Sequence, residues 1–295
     1  MADGRFNAVE GLAPHANRLR TLLVRLVANR SIALGGGLVA IITLLAVFAP
    51  LVAPYDPLES NFRARLLPPS AQHWFGTDHF GRDVLSRVIY GGRLSLEIGF
   101  LVVLATGIFG TLIGGCAGYF RAMDNPVMRL MDAWMAFPAI LLAIAVSATL
   151  GASVTNVVIA LSLATTPHTA RIVRASVLVV REMEYVEAAR ALGARDMRIL
   201  FVHVLLNSIA PLIVRLTYVF AIAILAEAVL SYIGVGPPPP APSFGNIIAN
   251  GRDFMVEAPW VTIFPGVAIF IVVLGLNLLG DGLRDVLDPR MRVER

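Results

Sequence analysis

Long apolar segments constrain this chain more than any other feature of its sequence. A transmembrane helix needs about 20 predominantly apolar residues. Hydrophobic residues make up 57% of the chain and charged residues 15%, which does not fit a soluble domain of 295 residues. The sequence therefore predicts an all-α, polytopic membrane protein with six transmembrane helices. These are expected at 31–53, 94–119, 126–149, 153–173, 209–234 and 259–280.

The first apolar segment, 31–53, follows a polar stretch at 1–30 that carries five arginines. A cleaved signal peptide is the competing interpretation, with alanine-containing sites near 48–53. A signal core usually has about 7–15 apolar residues, and this run is longer. We therefore expect a cytoplasmic tail at 1–30 and a first transmembrane helix at 31–53.

The arginines predict the orientation of the six spans. With a cytoplasmic N-terminus, the segments inside the cell and the span ends beside them hold 17 of the 24 arginines, and the segments outside hold six. This agrees with the rule that positive residues accumulate on the cytoplasmic side. Both termini are then cytoplasmic, including a C-terminal tail at 281–295. The expected outside segments are 54–93, 150–152 and 235–258, and the expected inside segments are 120–125 and 174–208.

The basic residues of this chain are all arginines, because it contains no lysine. A Walker A phosphate loop requires a lysine, so the chain cannot carry that nucleotide site. Any ATP that drives its function must be hydrolysed by a partner. The five histidines are scattered without ligand spacing, and Cys116 is alone in an apolar run, so we expect no metal, no cofactor and no catalytic residue.

A charged stretch at 184–207 interrupts the apolar sequence. Apolar residues recur at helical spacing up to Leu192, Gly193 ends the run, and a second amphipathic run begins near Asp196. Gly193 is suited to the left-handed conformation that closes a helix, and Asp196 to accepting backbone N–H bonds at the start of the next one. The pattern predicts two short helices that form a compact knob with a polar outer surface.

This stretch resembles the EAA loop of ABC-importer permeases in its residues Glu187, Ala188, Ala189 and Gly193. In that family the loop is cytoplasmic and sits in a groove of a separate ATPase subunit. The resemblance therefore implies an ATPase-coupling loop at 184–207 that includes Asp196. Leu206 occupies the position where the family usually has proline, which leaves the bend at the end of the loop open. A solvated amphipathic hairpin between two spans is the alternative.

The outside segment 54–93 contains Phe-Gly-Thr-Asp at 75–78, Gly-Arg-Asp at 81–83 and Ser-Arg at 86–87. These motifs resemble the signature of the C-type permease subunit of dipeptide, oligopeptide and nickel importers. The residues predict a turn followed by a short amphipathic helix from about Arg82, in which Arg82 and Asp83 form local charge pairs. A structural seal is the expected role of this helix, and a substrate contact is the alternative.

The C-terminal third resembles the same subunit. The matching residues are Leu-Ser-Tyr-Ile-Gly-Val-Gly at 230–236, the proline run 237–240, Pro-Ser-Phe-Gly-Asn at 242–246 and Asn-Leu-Leu-Gly-Asp-Gly at 277–282. Three separated motifs in the family's order make chance similarity improbable.

The resemblance implies a type I ABC-importer permease fold, with a core permease (MetI-like) domain at 94–280. It also implies a bacterial inner-membrane location and a function in alternating-access import of peptides or related small solutes. The implied partners are a second, homologous permease, two cytoplasmic ATPases and an extracytoplasmic substrate-binding protein.

Ionisable residues inside spans are functional candidates by default. Glu227 is expected either to line the translocation path or to bond to a neighbouring helix, and Arg215 to extend to the cytoplasmic interface. Asp132 is expected to pair with Arg129 three residues earlier. Pro138 should kink the third span.

Two other functional classes compete with the importer interpretation. A proton- or ion-coupled carrier could use Glu97, Asp132 or Glu227, although the chain lacks an obvious internal repeat. A membrane scaffold that recruits a cytoplasmic partner would transport nothing. Dependence on a partner ATPase distinguishes the importer from both.

Overall fold

The computed structural model describes residues 28–287, so the predicted tails at 1–30 and 281–295 lie largely outside the described residues. The described chain is helical apart from its loops, with one isolated β-bridge between Thr77 and Asp83. The main helices are, in chain order, α1 (Arg30–Val47), α2 (Val84–Tyr119), α3 (Arg121–Met135), α4 (Ala139–Leu150), α5 (Val154–Val180), α6 (Glu184–Ala191), α7 (Ile209–Ile233), α8 (Phe244–Gly251) and α9 (Trp260–Leu287).

Within residues 28–287, four helical segments are long and apolar enough to cross a membrane. They are α1, α2, α9 and the segment Asp196–Ile233, which contains α7. The pair α3 and α4 provides a fifth if it is a single bent span. Helix α5 has 27 residues, but the polar run Thr165–His168 lies in its middle and lowers its hydropathy. The expected count of six spans is therefore not fully confirmed, although helices occupy all six predicted stretches.

The predicted third span, 126–149, is not one continuous helix. Helices α3 and α4 meet at an angle of 84° across the break at residues 136–138. Pro138 lacks a backbone N–H and cannot extend α3, so it becomes the residue that precedes α4. Helix α4 has 12 residues and is about 18 Å long, which is too short to cross a bilayer alone. A kink at Pro138 was expected. At 84°, it divides the stretch into a charged helix, α3, and an apolar helix, α4.

Two ion pairs fasten α3 to α5. Asp132 pairs with Arg171, so the prediction that it pairs with Arg129 is wrong. Asp124 accepts two hydrogen bonds from Arg174, one of them 2.6 Å long between Nη2 and Oδ2. The pattern of α3 alone reveals only partners one turn away, whereas the packing of α3 on α5 brings the arginines of another helix closer.

Small residues allow the central helices to approach closely. Gly110, Gly114 and Gly118 recur every fourth residue along α2 and face α5. A Cβ atom on Gly114 would lie 2.2 Å from the carbonyl oxygen of Ala170, so no larger residue fits there. Such stripes are typical of helix contacts in membranes. The chain thereby forms a tight α2–α5 pair, while α1 packs against α9.

The loop at 53–83 leads directly into α2. Asp83 caps the helix, accepting hydrogen bonds of 2.8 Å from both the backbone N–H and the hydroxyl of Ser86. The predicted helix is present but is not short, because it starts at Val84 and runs without a break to Tyr119. Both residues form local pairs, as expected: Arg82 bonds to Asp78 at 2.7 Å, and Asp83 bonds to His73 at 2.9 Å.

The same loop is fastened to the start of α9. The indole N–H of Trp260 donates to the carbonyl oxygen of Thr77 at 3.1 Å. Phe75 stacks on Phe264 with 3.9 Å between ring centroids. These contacts fit the structural role expected for the motif at 75–83, which joins two helices far apart in sequence.

A histidine in the loop at 53–83 predicts a dependence of stability on pH. His79 stacks against Phe254, and burial lowers the pKa of its imidazole below the ordinary 6.5 despite the neighbouring Asp78. The unfolded chain therefore binds a proton near pH 6.5 while the folded chain does not, so stability is lost as pH falls below 6.5. We expect His79→Phe to reduce the fall in Tm of the detergent-solubilised protein between pH about 7.5 and about 5.5. An equal fall in both proteins would contradict this expectation.

Candidate functional site

The charged stretch folds as a knob, which we define as residues 184–198. It consists of α6, a turn at Leu192 and Gly193, and a second helical run that starts at Asp196. The predicted pair of helices joined at a glycine is thus present. The second helix is not short, because it continues through a π-helical segment at Ile199–Val204 and a turn at Leu206–Ser208 into α7. Leu206, at the usual proline position, allows this continuous path.

Gly193 closes α6 as expected. Its φ angle is +80°, in the left-handed region that favours glycine. Its N–H donates to the carbonyl oxygen of Arg190 at 3.0 Å, and the N–H of Ala194 donates to that of Ala189 at 3.1 Å. This pair of bonds is the Schellman motif, which satisfies the last carbonyls of a helix. The turn at the tip of the knob therefore has a defined shape.

Asp196 does not cap the second helix, and that prediction is wrong. Arg195 occupies the cap position, and Asp196 is the first helical residue. Its carboxylate accepts a hydrogen bond of 2.7 Å from the hydroxyl of Tyr119 at the end of α2. A carboxylate in the first turn still interacts favourably with the helix dipole. The residue identified from the motif thus ties the knob to α2.

The inner side of the knob is anchored in an apolar core. Val186 is fully buried and packs in one cluster with Val177, Val180 and Ile199. At the end of α5, Nη1 of Arg181 donates to the carbonyl oxygen of Gly118 at 2.6 Å. The knob is therefore fixed to both α2 and α5.

Tyr185, the second residue of the knob, has a partly exposed side chain. Burial raises the pKa of its phenol above the ordinary value of 10.0, so it is neutral at physiological pH. Its hydroxyl lies 3.4 Å from the carbonyl oxygen of His203, a long hydrogen bond to the following helix.

The outer side of the knob combines small, apolar and charged residues. Glu187 and Ala188 are exposed, and Ala189 is half-buried. Leu192 is 89% exposed at the tip, and Met197 lies exposed after it. Sequence reasoning missed Leu192, although an apolar residue directly before a helix-closing glycine is a usable signal. Around these residues the surface carries the exposed arginines Arg190, Arg195 and Arg198.

Glu227 lies far from the knob, inside the helix bundle. Its carboxylate is completely buried and accepts three hydrogen bonds from serine hydroxyls: Ser231 at 2.7 Å, Ser243 at 2.8 Å and Ser95 at 3.0 Å. The hydroxyl of Ser95 in turn accepts the N–H of Phe244 at 3.2 Å. These bonds join α7 to α2 and to the start of α8. They fit the expected bond to neighbouring helices, while the role in a translocation path stays a prediction.

Within residues 28–287, no three His, Cys, Asp or Glu side chains are grouped as a metal ion would require. The knob instead offers a rigid, partly apolar surface of small side chains, which suits contact with another protein.

Two family models match the chain. Residues 107–293 match the family described as binding-protein-dependent transport system inner membrane component, and residues 18–69 match the N-terminal TM domain of oligopeptide transport permease C.

Curated relatives and solved structures are also similar to this chain. The chain is 54% identical over 270 residues to a putative peptide transport system permease protein of Brucella suis, covering 92% of this chain and 91% of the relative. It is 48% identical to the dipeptide transport system permease protein DppC of Alkalihalophilus pseudofirmus, covering 84% and 82%. The inward-facing MetNI methionine ABC transporter shares its fold, with a TM-score of 0.57 at 19% identity, covering 68% of this chain and 97% of that one.

Proposed function

Because the chain belongs to the family of binding-protein-dependent transport system inner membrane components, we propose that it carries peptides into the cell as part of an ATP-binding-cassette importer. Membership of this family makes the chain a multi-pass membrane permease subunit and not an enzyme. The finer elements of the proposal are the solute, the partners, the orientation and the coupling surface.

Di- and oligopeptides are the solutes that the similarities favour. The relatives from Brucella suis and Alkalihalophilus pseudofirmus carry the words peptide and dipeptide in their names. A relative from Escherichia coli, 40% identical over 254 residues, is a probable D,D-dipeptide transport system permease. Nickel, which the sequence resemblance included, is absent from these names.

The proposed partners follow from the absence of lysine in the chain and from the exposed surface of the knob. A chain without lysine has no Walker A loop, so separate ATPase subunits must hydrolyse ATP. We assign one of these subunits to the knob. A homologous second permease would complete the translocation path, and a substrate-binding protein would deliver the solute from outside.

The exposed tip at Leu192 is the observation that carries the coupling proposal. A side chain that is 89% exposed stabilises nothing within this chain, yet it stands on a turn of fixed shape. Beside it, Ala188 and Ala189 let another surface approach the helix closely. An apolar centre with a polar rim around it is the usual anatomy of a protein interface.

The anchoring of the knob supports transmission of motion. Closure of the ATPases would displace Glu187–Asp196 as a unit, because Val186 and the Tyr119–Asp196 bond hold it to α5 and α2. The helical segment Asp196–Ile233 extends for 38 residues, about 57 Å, from the knob into the bundle. Such a segment converts a displacement at one end into a tilt at the other, which alternating access requires.

Both termini are proposed to be cytoplasmic in the bacterial inner membrane. Two cytoplasmic termini require an even number of crossings, and we propose six, with α3 and α4 together forming one and α5 another. Support comes from the excess of arginines in and beside the cytoplasmic segments. It places the knob, with Arg190, Arg195 and Arg198, on the cytoplasmic side.

Affinity purification of the full chain from gently solubilised native membranes tests the proposal. Partners would be identified by mass spectrometry. We expect a homologous permease and one or two P-loop ATPases to co-purify. Recovery of the chain alone, together with uptake driven by a proton gradient in vesicles, would refute the importer assignment.

A further inference from the structure

A cavity of about 260 Å³ lies between α5, α7 and α9 and contains an unusual combination of groups. Apolar residues such as Ile172 and Val214 form part of its wall. The rest is polar, and includes Arg215, Tyr218, Asn277, Asp281 and Arg284. Since the function derived above uses none of these residues, the cavity calls for a separate explanation.

Arg215 has no carboxylate partner within 4.0 Å among the described residues. Its Nε atom is buried and makes no hydrogen bond to the described chain, while its guanidinium lies 5.5 Å from the centre of the Tyr218 ring. A cation within a membrane segment is costly unless it is paired or reaches a polar region. The arginine is thus placed to hold an anion that residues 28–287 do not provide.

The polar residues of the cavity are aligned along two helix faces. Asn277, Asp281 and Arg284 follow each other at spacings of four and three residues on α9. Arg215 and Tyr218 are three residues apart on α7. Residues at these spacings share one face of a helix, so the two faces form a single polar wall. The two arginines and one aspartate give this wall a net charge of +1 by simple addition.

The depth of the cavity matches the headgroup region of the inner leaflet. Arg215 is six residues, or about 9 Å, from the start of α7, and Arg284 is three residues from the last described residue of α9. Helix α9 has 28 residues and is about 42 Å long, whereas the hydrocarbon core is about 30 Å thick. Its last turns therefore extend beyond the hydrocarbon. This placement rests on the proposed orientation but not on the identity of the solute.

We propose that this cavity binds the phosphodiester group of an anionic phospholipid. The planar guanidinium of Arg215 presents several N–H donors in a geometry that matches phosphate oxygens, and Arg284 adds a second cation. The apolar part of the wall accommodates the first atoms of the acyl chains. Asp281 disfavours a second negative charge, so a lipid with one phosphodiester fits better than a dianionic phosphate.

Native mass spectrometry of the purified full chain in detergent tests this proposal. The delipidated protein would be titrated with phosphatidylglycerol or with phosphatidylcholine, which has the same phosphodiester but no net charge. We expect the wild-type chain to prefer phosphatidylglycerol, and Arg215→Gln to weaken that binding about fivefold, as for one basic residue near a membrane surface. Arg284→Gln, at an exposed position near the helix end, should weaken it similarly without threatening the fold.

Arg129→Gln is the matched control, because Arg129 is an exposed arginine on α3 that does not line the cavity. It should leave phosphatidylglycerol binding unchanged. Equal binding by the wild type, Arg215→Gln and Arg284→Gln would overturn the proposal. Competition by excess inorganic phosphate or by a dipeptide would overturn the lipid assignment, because the site would then serve a soluble anion.

Discussion

Replacing Gly193 with valine is expected to leave the permease in the membrane but to abolish ATP-driven peptide uptake. The φ angle of +80° is strained for any residue with a Cβ atom, and most of all for a β-branched one. The cost is on the order of 2 kcal/mol, more than a surface turn can absorb without changing its conformation. No atom lies within 4 Å of the position that a Cβ would take, so steric clash would not unfold the bundle. The change is therefore confined to the shape of the knob.

Gly193→Asn is the matched control, because asparagine tolerates the left-handed conformation better than other residues with side chains. It should retain most of the uptake. The assay would compare both variants, at equal amounts in the membrane, in proteoliposomes that contain the full importer, by peptide uptake and by stimulation of ATPase activity. Uptake by Gly193→Val at the wild-type rate would argue against the knob as the coupling surface.

Replacing Glu227 with leucine is expected to cause a large loss of stability. The substitution leaves the hydroxyls of Ser95, Ser231 and Ser243 without their acceptor in a buried site. The penalty for such unsatisfied groups is on the order of 3 kcal/mol in total. Because these bonds connect three helices, the loss should appear as a lower Tm and as a lower yield of the solubilised protein.

Glu227→Gln separates a structural role from a transport role. The amide oxygen can still accept from Ser231 and Ser243, and the amide N–H₂ can donate to Ser95, so most of the network survives. We expect this variant to have nearly wild-type Tm and uptake. A stable Glu227→Gln protein that does not transport would instead favour a carboxylate in the path, as in the proton-coupled carrier that the sequence also allowed.

The local features of this fold could be predicted from its sequence, whereas the contacts between helices could not. Helical spacing and apolar length predicted the spans, and Gly193 predicted the turn of the knob. The register at Asp196 was wrong by one position: Arg195 takes the cap position, and the carboxylate of Asp196 accepts from the hydroxyl of Tyr119 instead of from a backbone N–H.

Pairings over long sequence distances explain the other errors. Asp132 pairs with Arg171, 39 residues away, and Glu227 bonds to Ser95, 132 residues away. Composition and periodicity identify such residues as unusual but do not name their partners. The break between α3 and α4 is a similar case. Pro138 predicts a kink but not its size. The bend of 84° goes together with the ion pairs of α3 with Arg171 and Arg174 of α5, which the sequence did not reveal.

A single cysteine at position 192 tests the central claim most directly. The chain has one cysteine, so Cys116→Ser provides a background without reactive thiols, and Leu192→Cys then adds one at the tip of the knob. Val256→Cys is the matched control, since Val256 is 96% exposed in the loop between α8 and α9, on the proposed outer side. In the assembled importer, we expect residue 192 to be protected from maleimide and to cross-link to the ATPase, while residue 256 reacts as in the free chain. Equal reactivity of residue 192 in the free chain and in the importer, with no cross-link to the ATPase, would contradict the account.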